Sequence, residues 1–431
     1  MRITKTMSLV LLVVMLLSAA VFAAPPTVTE PITIQIWHTR AAGANGDQIA
    51  NAIAEFNATN AYGITVEEVY QGGYVDTLAK TMQSLAAGTN PELVLLERAA
   101  GVPVMATQGV LLDMAPYAER DGFDLGNVPP VLLKYSYYND QLISMPYIRS
   151  TPLFYYNKAL FAEAGFDQAP TTIEDLITVG QRMTRQENGQ TVVYGFELLN
   201  DPGWFIQNML YQLGSNLVSE DGMSTPSLED GTMLKALTAW RDWIDNGWTC
   251  PPTVTRGEAT MKDLFNQGKI ASYFASSGGM TNILKNAEAA GIDVGVAFLP
   301  TWDIPSAPTG GGNLAIIQRG KNDQQMAAAW EFMKFVMSDE QVAQNAADTG
   351  YLPVTYGAVE TDVIQELWAE HPEYKVAFDQ LAIAQELPWS EYNSEYIEKL
   401  KVVCSQLIID QSITPEEAIE ALKREADIIF W

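Results

Sequence analysis

Arg149-Ser150-Thr151-Pro152-Leu153-Phe154-Tyr155-Tyr156-Asn157-Lys158 is the stretch on which the fold turns. Residues 151 to 156 are β-branched and aromatic, the side chains that suit a pleated strand. Pro152 has no N–H to give a sheet ladder, so it tolerates only an edge or entry position. Asn157-Lys158 opens a helix that reads Ala159-Leu160-Phe161-Ala162-Glu163-Ala164-Gly165. The stretch reads as a strand that carries the chain from one lobe into another, which puts function in the cleft it borders.

Upstream, apolar runs and amphipathic stretches alternate. Strands are predicted at 32–37, 64–70 and 92–96, and helices at 47–57 and 74–87, a βαβαβ order. This order implies a mainly parallel sheet covered by helices, with ligands taken up beyond the carboxyl ends of the strands. The loops at Trp37 to Gly46, Gln71 to Tyr74 and Glu97 to Gly101 are therefore the places to look. Downstream lie a helix-rich region from Trp204 to Trp248, strands at 270–275 and 294–299, and the turn-rich linker Pro300 to Gly312, a candidate return crossing before a strand at 313–318. Helices dominate from Asp323 onward, and the last is N-capped near Thr414 with Pro415 in its first turn. The helical stripes Trp240, Trp243, Ile244 and Trp330, Phe332, Met333, Phe335, Val336 read as core.

Arg2 and Lys5 precede an apolar run from Met7 to Phe22, and small residues then lead to Pro25-Pro26, the pattern of a secretory signal peptide cut after Ala23. A periplasmic protein without a lipid anchor is expected, since no Cys stands near the cut. Among 431 residues the formal net charge is −27, which repels phosphate backbones and excludes nucleic acid as a partner. Cys250 and Cys404 permit one disulfide without requiring it. The chain has 2 histidines and no Cys-x-x-Cys or His-x-x-x-His spacing, so no metal site and no cofactor are expected.

An ordered set of phrases carries a resemblance: Ile36-Trp37-His38-Thr39, Tyr70-Gln71-Gly72-Gly73-Tyr74, Glu97, Ser150-Thr151-Pro152 with Tyr155-Tyr156-Asn157-Lys158, Ala275-Ser276-Ser277-Gly278, Gly310-Gly311-Gly312, and Thr349-Gly350-Tyr351-Leu352-Pro353. In these the chain resembles extracellular solute-binding proteins of ABC importers for carbohydrates, and most of all the glycerol 3-phosphate-binding type. The resemblance implies an α/β, two-lobed periplasmic-binding-protein fold of type II, with a mainly parallel sheet in each lobe and the ligand cleft between them. Residues 24–148 with about 306–352 would form the first lobe, and 149–305 with about 353–431 the second. It further implies that Tyr74, Glu97, Ser150, Ser276, Gly311 and Tyr351 face the ligand, with Trp204 as a stacking wall. Two departures stand out. Where the relatives place a phosphate-holding arginine after Leu-Pro-aromatic, this chain has Ser394, and where they show a second tryptophan it has Asp201. Both favour a neutral polyhydroxy ligand. Arg149, beside Ser150, and Arg40 are the guanidinium groups that could hold an anion from another wall.

A hydroxylated ligand needs flat apolar faces and a fan of donors and acceptors. Trp37, Tyr70, Tyr74, Tyr147, Trp204 and Tyr351 could supply the faces. Glu97, Asp201, Ser150, Ser276 and the Gly310 to Gly312 backbone could supply the polar groups. An aromatic at a strand end is more often packing than platform, and a charge such as Glu97 more often a solvated loop. At a sheet's carboxyl edge, Glu97 could accept from two adjacent hydroxyls. The expected function is that of a monomeric capture protein that closes on a sugar or glycerol-derived solute and delivers it to two permease subunits and their ATPase. The alternative is a secreted enzyme acting on a saccharide or glycerophosphodiester with Glu97 and Asp201 as a carboxylate pair, although no spacing supports that pairing. An adhesin is disfavoured by the absence of repeats.

Overall fold

In the computed structural model, which describes residues 24–250 and 257–430, two sheets meet at Thr151. The segment expected to be a signal peptide, 1–23, lies outside the described residues. The first sheet runs in the order Ile64–Tyr70, Ile32–His38, Leu93–Glu97, Gly310–Ile316, Met145–Ser150. Its first three strands pair in parallel, Ile32 opposite Ile64 and Ile36 opposite Leu93, because the helices Ala44–Thr59 and Tyr74–Ala87 return the chain between them. These elements lie close to where apolar spacing put them.

The other two strands run antiparallel, with Gly312 opposite Glu97 and Gly310 opposite Ser150. Met145–Ser150 leaves the first lobe and Gly310–Ile316 re-enters it, so the crossing segments lie side by side in opposite directions. Parallel pairing thus stops where the crossings begin.

In the second lobe Pro152–Asn157 is the middle strand, antiparallel to Ser272–Ser276 on one side and Val294–Ala297 on the other. The expected parallel sheet is corrected here: both outer strands run back toward the crossing and so deliver Ser276 to the cleft. Pro152 takes the entry position of its strand, and the Asn157 side chain caps the next helix by accepting from the Leu160 N–H at 3.1 Å.

Each lobe has its own core. Ile34, Ile36, Leu95 and Leu314 of the first sheet pack with Trp330, Phe332 and Met333 of the helix Asp323–Val336. Phe154 and Phe196 pack with Trp240, Trp243, Tyr396 and Phe430 in the second. Val354, Ala358 and Ile364 also join the first core, so the chain stays on that lobe beyond residue 352, where the sequence reading ended it. It leaves before the helix Glu373–Asp379, whose Ala377 belongs to a second-lobe cluster with Tyr155 and Tyr273. The short helices Tyr356–Val359 and Asp362–Glu370 carry no local mark of which core they join. Cys250 and Cys404 are both buried. No helix among the described residues is long and apolar enough to cross a membrane.

Candidate functional site

Between the lobes, beside the crossings, lies a cavity of about 490 Å³ lined by Tyr74, Glu97, Ser150, Asp201, Trp204, Ser276, Gly311 and Tyr351 among others. Eight residues singled out from sequence therefore meet in one hollow. They come from strand ends, helix starts and crossing segments of both lobes, the positions at which an α/β fold leaves its backbone groups and side chains unpacked.

Glycines make room for the aromatic walls. A Cβ on Gly310 would stand 2.3 Å from Cη2 of Trp204, and one on Gly278 would stand 2.4 Å from Cε1 of Tyr351. Both rings lie on bare backbone, Trp204 from the second lobe against the returning strand and Tyr351 against the turn after Ser276. Gly311 has φ +90°, and a Cβ there would collide with the Ile148 carbonyl oxygen, so the strand passes the cleft in a conformation that favours glycine. Tyr74 begins its helix after Gly72-Gly73. Burial, then the neighbouring Tyr351 and Glu97, raise its phenol well above the ordinary range, while a hydrogen bond with Thr39 opposes them.

Asp201 receives the Trp204 and Phe205 backbone N–H groups on its carbonyl oxygen at 3.1 and 2.9 Å, so carboxylate and indole project from one turn. The Asp201 side chain is open to cleft water yet walled in by both lobes. This enclosure, opposed by Lys401, pushes its carboxyl up to about 6. Ser276 closes its strand and accepts from the Gly278 N–H at 3.1 Å, and Ser150 is buried opposite Gly310.

Glu97 is more heavily engaged than its sequence suggests. Oε1 pairs with Arg98 Nη1 at 2.6 Å, while Oε2 accepts from the Ala99 N–H at 2.7 Å and from the Ala100 N–H. Of about four lone-pair directions on a carboxylate, three are taken. Glu97 has room for one ligand hydroxyl, not two.

Arg149 is corrected outright. It is 1% exposed and does not line the cavity, because its guanidinium turns inward, donating to the Gly310 carbonyl at 2.9 Å, the Leu132 carbonyl at 3.1 Å and the Thr309 hydroxyl at 2.6 Å, and pairing with Glu386. Arg40 is likewise spent on the Asn45 carbonyl at 2.7 Å and Asn345 Oδ1 at 2.9 Å, with its guanidinium 5.6 Å behind the Tyr351 ring. Trp37, Tyr70 and Tyr147 stand outside the cavity, whereas Ser394 does line it.

Sequence reasoning missed Arg98, Glu398 and Lys401. Arg98 is the guanidinium that lines the cavity among the described residues, held by Glu97 and by an ion pair from Nε to Glu386 Oε2 at 2.8 Å that is not aligned as a hydrogen bond. Its adjacency to Glu97 was a visible signal, but Glu386, the partner that buries it, lies far along the chain.

The model of the bacterial extracellular solute-binding protein family matches residues 51–374. The sn-glycerol-3-phosphate-binding periplasmic protein UgpB of Rhizobium meliloti is 25% identical over 358 residues, covering 79% of each chain. Among solved structures, UgpB from Mycobacterium tuberculosis in complex with glycerophosphocholine superposes with a TM-score of 0.81 at 23% identity, over 93% of this chain and 98% of that one. The GacH receptor of Streptomyces glaucescens, solved unliganded and with acarbose, gives 0.80 at 19% identity over 93% and 99%. These likenesses agree with the two-lobed type II fold. The chain belongs to the bacterial extracellular solute-binding proteins, the ligand-capturing components of ABC importers.

Proposed function

We propose that the cleft captures a neutral, hydroxyl-rich solute, a saccharide or a glycerol derivative, and that the protein releases it unchanged to two inner-membrane permease subunits driven by a cytoplasmic ATPase. The protein works as a monomer in the periplasm after removal of residues 1–23. One observation carries the choice of a neutral ligand: Arg98, the cleft guanidinium, is already neutralised by Glu97 at 2.6 Å and Glu386 at 2.8 Å. A phosphate monoester would have to displace a carboxylate to use it, Ser394 offers no charge in compensation, and Lys401, the ammonium on the same wall, is offset by the carboxylates of Asp201 and Glu398. Trp204 and Tyr351 supply flat faces for C–H surfaces, while Ser150, Ser276, Asp201 and the last acceptor position of Glu97 replace the water lost by hydroxyls. The relatives are named for or solved with glycerol 3-phosphate, glycerophosphocholine and acarbose, and the paired Arg98 argues against the first of these as the ligand here.

A thermal-shift panel of glycerol 3-phosphate, glycerophosphocholine, maltose and common monosaccharides tests the reading. A ligand at 100 times its dissociation constant stabilises by about 2.7 kcal/mol, a readily measured shift. The largest shift is expected from an uncharged saccharide or a glycerol derivative without a phosphate monoester, and Trp204→Ala is expected to abolish it with the unliganded midpoint nearly unchanged. A strong shift from glycerol 3-phosphate alone would refute the neutral-ligand reading. Turnover of a panel compound would replace binding by a secreted hydrolase.

A further inference from the structure

Glu386 belongs to both lobes. Its carbonyl oxygen accepts from the Tyr211 hydroxyl at 2.7 Å, on the second-lobe helix Phe205–Gln212. Its carboxylate reaches the other way, to Arg149 on the crossing strand and to Arg98 at the end of Leu93–Glu97. The Glu386, Arg149 and Arg98 side chains are 1%, 1% and 4% exposed. Taking ions out of water is costly enough that apolar residues of equal volume often stabilise as well or better, so a buried ionic bridge across a joint argues for position more than for strength.

Arg98 is the member of this bridge that faces the cleft, and on that side it grips Glu97. We propose that Arg98 is a positioning residue that ties Glu97, an acceptor for a ligand hydroxyl, to Glu386 on the opposite lobe, so that recognition and lobe closure share one bridge. This rests on the reading of the cleft as a solute site. A ligand that takes the last acceptor position of Glu97 restrains its carboxylate, and the planar guanidinium, whose Nη1 donates to Glu97 and whose Nη2 donates to the Thr309 carbonyl, passes that restraint to Glu386 through the ion pair at Nε. Glu386 leads into a strap that already touches the first lobe: Trp389 stacks on Tyr138 with centroids 4.9 Å apart, and Asn393 Nδ2 donates to the Ala99 carbonyl at 2.8 Å. Lysine, a point charge without a fork, could keep one of the two carboxylates but not hold both in register.

Spin labels on Val363→Cys and Ile428→Cys, exposed positions on the two lobes, report lobe separation with glycerophosphocholine and with maltose as probes. A parent protein that binds neither probe nor any other panel compound takes down the reading of the cleft, and this proposal with it. With a bound probe, Arg98→Lys is expected to raise the dissociation constant by about tenfold or more and to leave an open population even at saturation. Ser276→Ala, which removes a ligand contact outside the bridge, is expected to weaken binding yet close fully. In a Glu97→Gln background, Arg98→Lys is expected to add little further loss. Full closure of Arg98→Lys at saturation, whatever its affinity, overturns the proposal. Should that variant not fold, Glu97→Gln cuts the bridge at its cleft end while Arg98, Glu386 and Arg149 stay paired, and full closure there overturns the proposal equally.

Discussion

At the scale of single residues, the cleft depends on atoms that are missing as much as on those present. Gly310 has an ordinary place in a strand, yet the Trp204 indole occupies the space its Cβ would need. Gly310→Ala is therefore expected to displace the indole and weaken binding of the best panel ligand by about tenfold or more. Calorimetric titration checks this, and a thermal midpoint within a few degrees of the parent would show that the loss is local. His38 gives a pH signature of a different kind. Burial, and then the charge of Arg40, lower its imidazole from 6.5 to about 4, and its Nδ1 accepts from the Arg40 N–H at 3.2 Å. Glu68 lies 3.2 Å from Nε2 but is 39% exposed, too solvated to hold the proton against that burial. Because the unfolded chain binds this proton first, the His38 contribution is complete above pH 6.5 and is lost as pH falls toward 4, at up to about 1.4 kcal/mol per pH unit. His38→Asn, which keeps an acceptor near Nδ1, is expected to flatten the stability curve over that window. Chemical denaturation at a series of pH values reads it directly.

At the scale of elements, local patterns proved readable where a segment's periodicity and its caps agree. Asn157 caps its helix as expected, and Thr414 does so through a reciprocal pair in which its N–H donates to Glu417 Oε2 at 2.8 Å and the Glu417 N–H donates to Thr414 Oγ1 at 3.2 Å. Strand direction was less readable, since an apolar run reads the same whichever way its neighbour travels. Only the crossing at Thr151 reveals that Pro152–Asn157 meets two antiparallel partners. The same limit moved the edge of the first lobe, because Ala358 and Ile364 would suit either core by composition.

At the scale of the whole molecule, the lobes are joined by polar as well as apolar matter. Glu386 pairs with two arginines nearly closed to water, so Glu386→Ala would leave Arg149 buried without a carboxylate and Arg98 with Glu97 alone. Loss of one partner from such a group costs about 3–5 kcal/mol. A correspondingly lower denaturant midpoint is expected, and a midpoint unchanged from the parent would mean that the bridge is solvated in solution. What the chain determined by itself was the alternation of strands and helices and the crossing at residues 149–158, which follow from periodicity and proline geometry, and eight residues of the cleft, which its resemblance to solute-binding proteins implied. What only the tertiary structure decided was the direction of each arginine. Arg149 turned inward and Arg98 took the cleft wall, because the carboxylate that holds them both, Glu386, reaches them only once the two lobes have packed together.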